Sequence, residues 1–282
     1  MLLRMRKRWI AIGSLAMIAL LAGCSPVTNA VTTPEMANSG SWWTRNVVYW
    51  FSLMLDTFAE WFNGSYGIAI LLLTIIVRTL ILPLMIKQYN NTKAMQKLQP
   101  EMIKIREKYK DDPRKQQEEM MKLYQTHQVN PLAGCLPLLI QMPIFIALYN
   151  SIYMNAAIRD HTFLGLQLGV APSEGAWYYY IIPIIAAITT FIQSKMMMAQ
   201  QPAVGPMKAM LLIFPVLIFV MAINFAVALP LYWIYSNIYT IIQNYFMYVR
   251  RSPNAGRKPD PSKKSGKDQP RGGKGKKGAH AK

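Results

Sequence analysis

One arginine stands where arginines are costly. Residues 64–86 form an apolar stretch broken only by Arg78. A charge at membrane depth costs about 3 kcal/mol on insertion scales, and it faces a partner or a water-filled cavity. Arg78 lies about 14 residues into the stretch, roughly 20 Å deep by helical rise. No Asp or Glu occurs in this or any other stretch apolar enough to span a bilayer, so no intramembrane carboxylate of the same chain neutralises it. Two outcomes remain. The side chain can snorkel past Leu82, Pro83 and Lys87 to the nearer surface, which is a long reach. Or it faces a polar groove between helices, which we favour. Other polar residues fit a groove. Gln141 stands beside Pro143, Gln193 closes a later apolar stretch, and Ser236, Asn237, Thr240 and Gln243 dot the last one. Asn237, Thr240 and Asn244 share one helical face. Such groups prefer each other or water to lipid. The candidate groove residues are therefore Arg78, Gln141, Gln193 and Asn237. Ordinary interhelical hydrogen bonding explains Ser236 and Thr240 equally well.

Catalytic chemistry finds no foothold. His127, His161 and His280 all lie outside the apolar stretches, so an intramembrane Ser–His pair cannot form. There is no HExxH run and no Gly-rich nucleotide loop. We expect no enzyme, no cofactor and no metal site.

The elements that position these residues follow from charge segregation. The chain is 52% hydrophobic and only 16% charged, yet carries a net charge of +18. Soluble domains have about a quarter charged residues, and these charges are clustered rather than spread. The expected fold class is all-α integral membrane: five transmembrane helices, an extracellular interfacial helix and a cytoplasmic helical hairpin. The expected spans are 64–87, 131–153, 177–194, 208–225 and 229–249. The 42 residues from Lys208 to Val249 hold no charge after Lys208, too long for one span of about 20 residues but right for two. The turn between them is expected within Asn224 to Pro230.

The flanking segments are equally informative. Arg4, Arg6, Lys7 and Arg8 precede an apolar core, which reads as an export signal over residues 1–23. Leu21-Ala22-Gly23-Cys24 then resembles a bacterial lipobox, in which Cys24 becomes the acylated first residue, followed by a lipidated linker over 24–40. In 41–63, Trp43, Val47, Trp50, Met54, Phe58 and Trp61 recur at helical spacing, with Arg45, Tyr49, Ser52, Asp56 and Glu60 on the other side. That pattern predicts an amphipathic helix on the outer surface with a Trp-rich face at headgroup level. In 88–130, Met95, Leu98, Met102, Ile105 and Tyr109 step by three and four, the seam of a coiled coil. Asp111-Asp112-Pro113 breaks it, and Met120, Tyr124 and His127 share a face in the returning helix. An outer loop spans 154–176 and a Met-rich cytoplasmic loop 195–207. The tail, 250–282, is Gly-, Lys- and Pro-rich and expected to be disordered. It suits anionic lipid headgroups, ribosomal RNA, or a purely topogenic role. With an outside start the two outer segments carry one basic residue each, Arg45 and Arg159, and the positive-inside rule holds at every loop. The expected location is the bacterial cell membrane, with a lipid-anchored N-terminus outside and the C-terminus in the cytoplasm.

These features together resemble the YidC family of membrane protein insertases, part of the wider Oxa/Alb superfamily, in the lipoprotein form of Gram-positive bacteria. The resemblance covers nearly all of the mature chain. It rests on Tyr66-Gly67-Ile68-Ala69-Ile70, the lone Arg78 with Ile81-Leu82-Pro83-Leu84, and Met95-Gln96-Lys97-Leu98-Gln99-Pro100-Glu101. It continues through Asn130-Pro131-Leu132-Ala133-Gly134-Cys135-Leu136-Pro137, Gln141-Met142-Pro143 and Leu231-Tyr232-Trp233. Each match is weak alone; their order and spacing carry the likeness. The resemblance implies a five-helix core with a hydrophilic groove holding Arg78, and a hairpin that receives substrate. It implies nascent membrane proteins as partners, helped to insert and fold, with the ribosome and a Sec translocon as further candidates. A small transporter or anion channel, or a scaffold beside a Sec-type translocon, are the competing readings. Internal repeats, expected of many transporters, are absent.

Overall fold

The computed structural model describes residues 30–130, 136–200 and 206–250. The signal, Cys24, Cys135 and the basic tail from residue 251 onward lie outside the described residues.

The described chain is mostly helical. α1 (Thr33–Ala37) is a single turn whose Thr32 amide donates to the Glu35 carboxylate at 2.8 Å. A π-helical turn (Thr44–Val48) runs into α2 (Tyr49–Trp61). α3 (Tyr66–Lys108) is one continuous helix of 43 residues. At 1.5 Å per residue it is about 65 Å long, enough to cross a hydrocarbon core of about 30 Å and project well beyond it. α4 (Pro113–Thr126) returns alongside, capped by the Asp112 side chain accepting from the Lys115 amide at 3.0 Å. α5 (Leu136–Met154) leads to a short α6 (Ala156–Asp160) and a two-stranded hairpin, β1 (Thr162–Phe163) with β2 (Leu166–Gln167). A 3-10 turn (Trp177–Tyr180) opens α7 (Ile181–Gln200), followed by α8 (Pro206–Asn224) and α9 (Ala228–Asn244), which ends in a π-helical turn. Among the described residues, α3 and the Trp177–Met198 stretch are long and apolar enough to cross a membrane; Leu139–Met154 and Ile213–Asn224 are shorter apolar helices.

Two boundaries refine the sequence reading. The turn between the last two long helices falls at Phe225 to Val227, inside the expected window. α7 continues past Ser194 to Gln200, because Lys, Met, Ala and Gln are strong helix formers and Pro202 comes only later.

The apolar core gathers at the end of the molecule that bears the β-hairpin. Leu55 of α2, Ile70 and Leu73 of α3, Leu148 and Ile152 of α5, and Leu229 of α9 are buried there with Leu166 and Leu168. α2 packs part of the side that carries its polar residues against the core. Val48, Ser52, Leu55 and Ala59 are buried, whereas Trp50 and Trp61 face outward. The inward polar face is tolerated because Asp56 finds three neutral donors. It accepts from Thr33 Oγ1 at 2.5 Å, Tyr66 OH at 2.9 Å and Asn155 Nδ2 at 2.9 Å. Val31 adds a parallel bridge to Asn155, its amide donating to the Met154 carbonyl at 2.7 Å.

At the opposite end, α4 folds back on the second half of α3. Leu98 and Met102 are buried against Val129, with Met95, Met120, Leu123 and Tyr124 packed around them. Burial pushes the Tyr124 phenol up, and the hydrogen bond from Lys122 holds the Glu119 carboxyl below its ordinary value. The base is pinned by Asn91 Nδ2 donating to the Asn130 carbonyl at 2.9 Å, and by Tyr89 OH donating to the Met247 carbonyl at 2.5 Å.

Gly67, at the start of α3, has no room for a side chain, since a Cβ there would collide with the ring of Phe163. Gly67→Ala is expected to lower stability by about 1–3 kcal/mol through overpacking. Phe163→Ala added to it should recover part of that loss; thermal unfolding of both variants in detergent checks it.

Candidate functional site

At the edge of the apolar cluster, by Val77, Ile144 and Tyr232, polar side chains take over. α3 carries Arg78, half-buried and facing α5 and α9. Its Nη2 donates to Gln141 Oε1 at 3.0 Å and also to Ser236 Oγ. Gln141 cannot turn both ends toward a cation, so its Nε2 points away and donates to Tyr232 OH at 2.6 Å. Tyr232 and Ser236 are four residues apart on α9, one helical turn, and so meet Gln141 and Arg78 from one face. Beside them the hydroxyls of Thr79 and Tyr239 lie 3.2 Å apart. Pro83 removes a donor one turn on, leaving the Thr79 carbonyl without its helical partner.

The electrostatics of this cluster are unusual in one respect. Among the described residues the ion pair is Lys122 with Glu119, and the His127 ring lies 3.7 Å from the Glu101 carboxylate, both in the α3–α4 hairpin. Arg78 is therefore held by neutral dipoles alone. A guanidinium has five N–H donors, and the bonds found here use only Nη2. Among the described residues Nη1 and Nε have no hydrogen-bond partner, which leaves them able to take an acceptor. A carboxylate about 4 Å away would be attracted by about 4 kcal/mol at an effective dielectric constant of 20. The site can thus bind an anion reversibly while remaining tolerable empty.

The other two residues singled out from sequence do not join this cluster. Asn237 is turned away from Arg78 and donates to Thr189 Oγ1 at 3.1 Å and Thr190 Oγ1 at 2.8 Å, tying α9 to α7. Gln193 is half-buried one turn further along α7 and bonds to neither set. Sequence reasoning passes over Tyr232, whose place in Leu231-Tyr232-Trp233 reads as apolar or interfacial. The four-residue step from Tyr232 to Ser236 is the signal that could have found it. An apolar cleft of about 340 Å³ lies elsewhere, between α7 and α8, lined by Ala187, Ile188, Phe191, Pro215, Val216 and Phe219. It offers no polar group and belongs to the lipid-type surface of those helices.

Comparison with known proteins decides the family. The model of the 60Kd inner membrane protein family matches residues 57–254. The chain belongs to this family. The membrane protein insertase MisCA of Bacillus subtilis (strain 168) is 44% identical over 267 residues, 93% of this chain and 98% of its own length. The membrane protein insertase YidC 2 of Bacillus anthracis is 48% identical over 243 residues, covering 84% of this chain and 91% of the relative. Among solved structures, an active YidC insertase with its first transmembrane domain resolved superposes with a TM-score of 0.55 at 31% identity. That match covers 74% of this chain and 47% of the other. The YidC likeness read from the residue motifs is therefore a true family membership, and its matched region contains the whole Arg78 cluster.

Asn237→Ala removes two interhelical hydrogen bonds without touching Arg78. It is expected to cost about 1–2 kcal/mol of stability. Thermal unfolding in detergent should show the loss.

Proposed function

We propose that this chain is a membrane protein insertase working through a polar groove around Arg78. It passes hydrophobic helices of nascent membrane proteins into the bilayer and helps them fold. The observation that carries the mechanism is the unneutralised guanidinium: Arg78 is half-buried on the longest apolar helix, held only by Gln141 and Ser236, with donors to spare.

The reading includes five spans, at 64–87, 131–153, 177–194, 208–225 and 229–249. The N-terminus is outside, anchored through a lipidated Cys24, and the C-terminus is in the cytoplasm of the cell membrane. The concentration of Lys and Arg in 88–130, 195–208 and the tail supports this orientation. The hairpin of α3 and α4 then projects into the cytoplasm. Its half-buried Met120 and exposed Met121 offer adaptable apolar contact to an arriving segment. The polar end of the substrate enters the groove, where Arg78 attracts acidic groups and Gln141 replaces some of their water. The same passage, in this reading, continues past the Arg78 cluster toward Gln193 and Asn237. The groove shortens the apolar distance that a polar segment must cross. The apolar helix leaves sideways into lipid, driven by transfer from water. This transfer needs no ATP site. The basic tail meets anionic lipids or ribosomal RNA, or only keeps the C-terminus inside, and a Sec translocon is a further partner.

Reconstitution tests the charge directly. Purified protein in liposomes is given a single-span reporter with an acidic N-terminal segment, and the translocated end is scored by protease protection. Arg78→Ala is expected to lower the protected fraction roughly tenfold, since even a third of the attraction estimated above corresponds to a factor of ten. Arg78→Lys should restore part of it, because the charge returns without the planar fork. A reporter with a neutral N-terminal segment should lose less. Equal protection by Arg78→Ala would remove the charge from the mechanism for that substrate. No protection by the parent protein would favour an accessory role beside a translocon.

A further inference from the structure

The tip of the β-hairpin carries a residue that the fold itself does not explain. Leu164 has φ +54° and Gly165 φ +79°, so both central residues of the turn are left-handed. Asn, Asp or Gly is the ordinary choice at the first of these positions. A leucine there is sterically disfavoured, and such residues persist where the surroundings hold them and function uses them. The leucine side chain is 78% exposed, so nothing in the chain's own packing offsets the strain.

The tip is not loose. Phe163 lies over Gly67 of α3, and Leu166 and Leu168 are buried in the main core. The Gln167 amide donates to Tyr179 OH at 3.0 Å, and the Ala228 amide donates to the Leu168 carbonyl at 3.1 Å. The turn is therefore held on a rigid brace at a fixed height. That height is set by Gly67, the second residue of α3, where its apolar run begins. On the chain leading to Gly67 stand exposed Trp61 and Phe62, and next to the Tyr179 brace stand exposed Trp177 and Tyr178. Aromatic residues of this kind mark the headgroup level of a bilayer.

We propose that Leu164 is a membrane-contacting tooth, seated at the headgroup–acyl boundary of the outer leaflet beside the first span. The partner is the lipid surface, and the tooth fixes the depth and tilt of the outer end of α3. This rests on the proposed reading that α3 spans the membrane with its Tyr66 end outside.

The test separates the two claims. In a Cys135→Ser background, Asp160→Cys and Lys110→Cys are treated on intact cells with a membrane-impermeant maleimide. Labelling at 160 and not at 110 supports the orientation; the reverse overturns the orientation and the tooth with it. A nitroxide is then attached at Leu164→Cys in the full chain, in phosphatidylglycerol–phosphatidylethanolamine liposomes. Power saturation is expected to show high collision with oxygen and low collision with a water-soluble nickel chelate, relative to Lys110→Cys. High nickel collision means that the tip stands in water. Low collision with both means that protein covers it. Either result overturns the lipid contact even when the orientation holds. A second variant keeps the claim open to failure without a label. Leu164→Asn suits the left-handed backbone, so its unfolding midpoint in detergent should equal or exceed the parent's. In liposomes the gain in midpoint over detergent should be smaller than the parent's. A lower midpoint in detergent would make Leu164 a structural residue and end the proposal.

Discussion

A guanidinium inside an apolar helix with no carboxylate within reach is the constraint on which much of this structure turns. Burying an ion pair would silence the charge, because both partners would be satisfied and their field would cancel nearby. Holding the cation with neutral acceptors instead leaves its field pointing into whatever space adjoins it. Gln141 and Ser236 supply those acceptors, and Tyr232 fixes the amide of Gln141 so that its oxygen faces the cation. Three helices must converge within hydrogen-bond distance for that to work. The apolar core ends where they do so, which suggests that close packing has been traded for polarity over this part of the fold.

The other end of the molecule solves a similar problem with opposite sign. Asp56 points inward and is held by Thr33, Tyr66 and Asn155, all neutral. Those three donors come from the segment before α2, the start of α3 and the start of α6. A single carboxylate thereby gathers the N-terminal segment, the α2 helix and the loop after α5 into one cap over the core. The cap and the Arg78 cluster are the two polar anchors between which the apolar helices are strung.

Much of this is legible in the sequence, and the limits are physical. Arg78 and Gln141 declare themselves because each breaks an apolar run, a signal that needs no tertiary information. The hairpin declares itself through the three-and-four stepping of Leu98 and Met102 and the Asp112-Pro113 break, and the structure buries those same two residues. Asn237 breaks an apolar run just as visibly, yet its amide goes to Thr189 and Thr190, because the next residue along a helix points about 100° away from its neighbour. Spacing alone cannot tell which of two adjacent polar residues faces which helix. The inward packing of Asp56 and Ser52 on α2 is hidden for a related reason. Its Trp face is the more apolar, but Ser52 and Ala59 are small enough to let it pack closely, and the donors that make Asp56 welcome inside lie 10 to 99 residues away. Leu164 is invisible to pattern reading altogether, since backbone sign is not written in hydrophobicity.

The unbroken course of α3 has a mechanical consequence. One rod carries the Phe163 contact at Gly67, the guanidinium at Arg78 and the hairpin seam at Leu98 and Met102. It has the shape of a lever, with its fulcrum in the apolar core and the hairpin on its long arm. Force applied to the long arm produces torque about that fulcrum, and the short distance from fulcrum to Arg78 scales a large swing of the hairpin down to a small displacement of the charge. Pro83 and Pro100 are the compliant joints along the rod, each lacking one helical hydrogen bond. Pro83 lies between the charge and the hairpin, so it sets how much of that torque arrives. The Tyr89–Met247 hydrogen bond braces the rod just beyond that joint. Stiffness, more than affinity, is what this helix contributes.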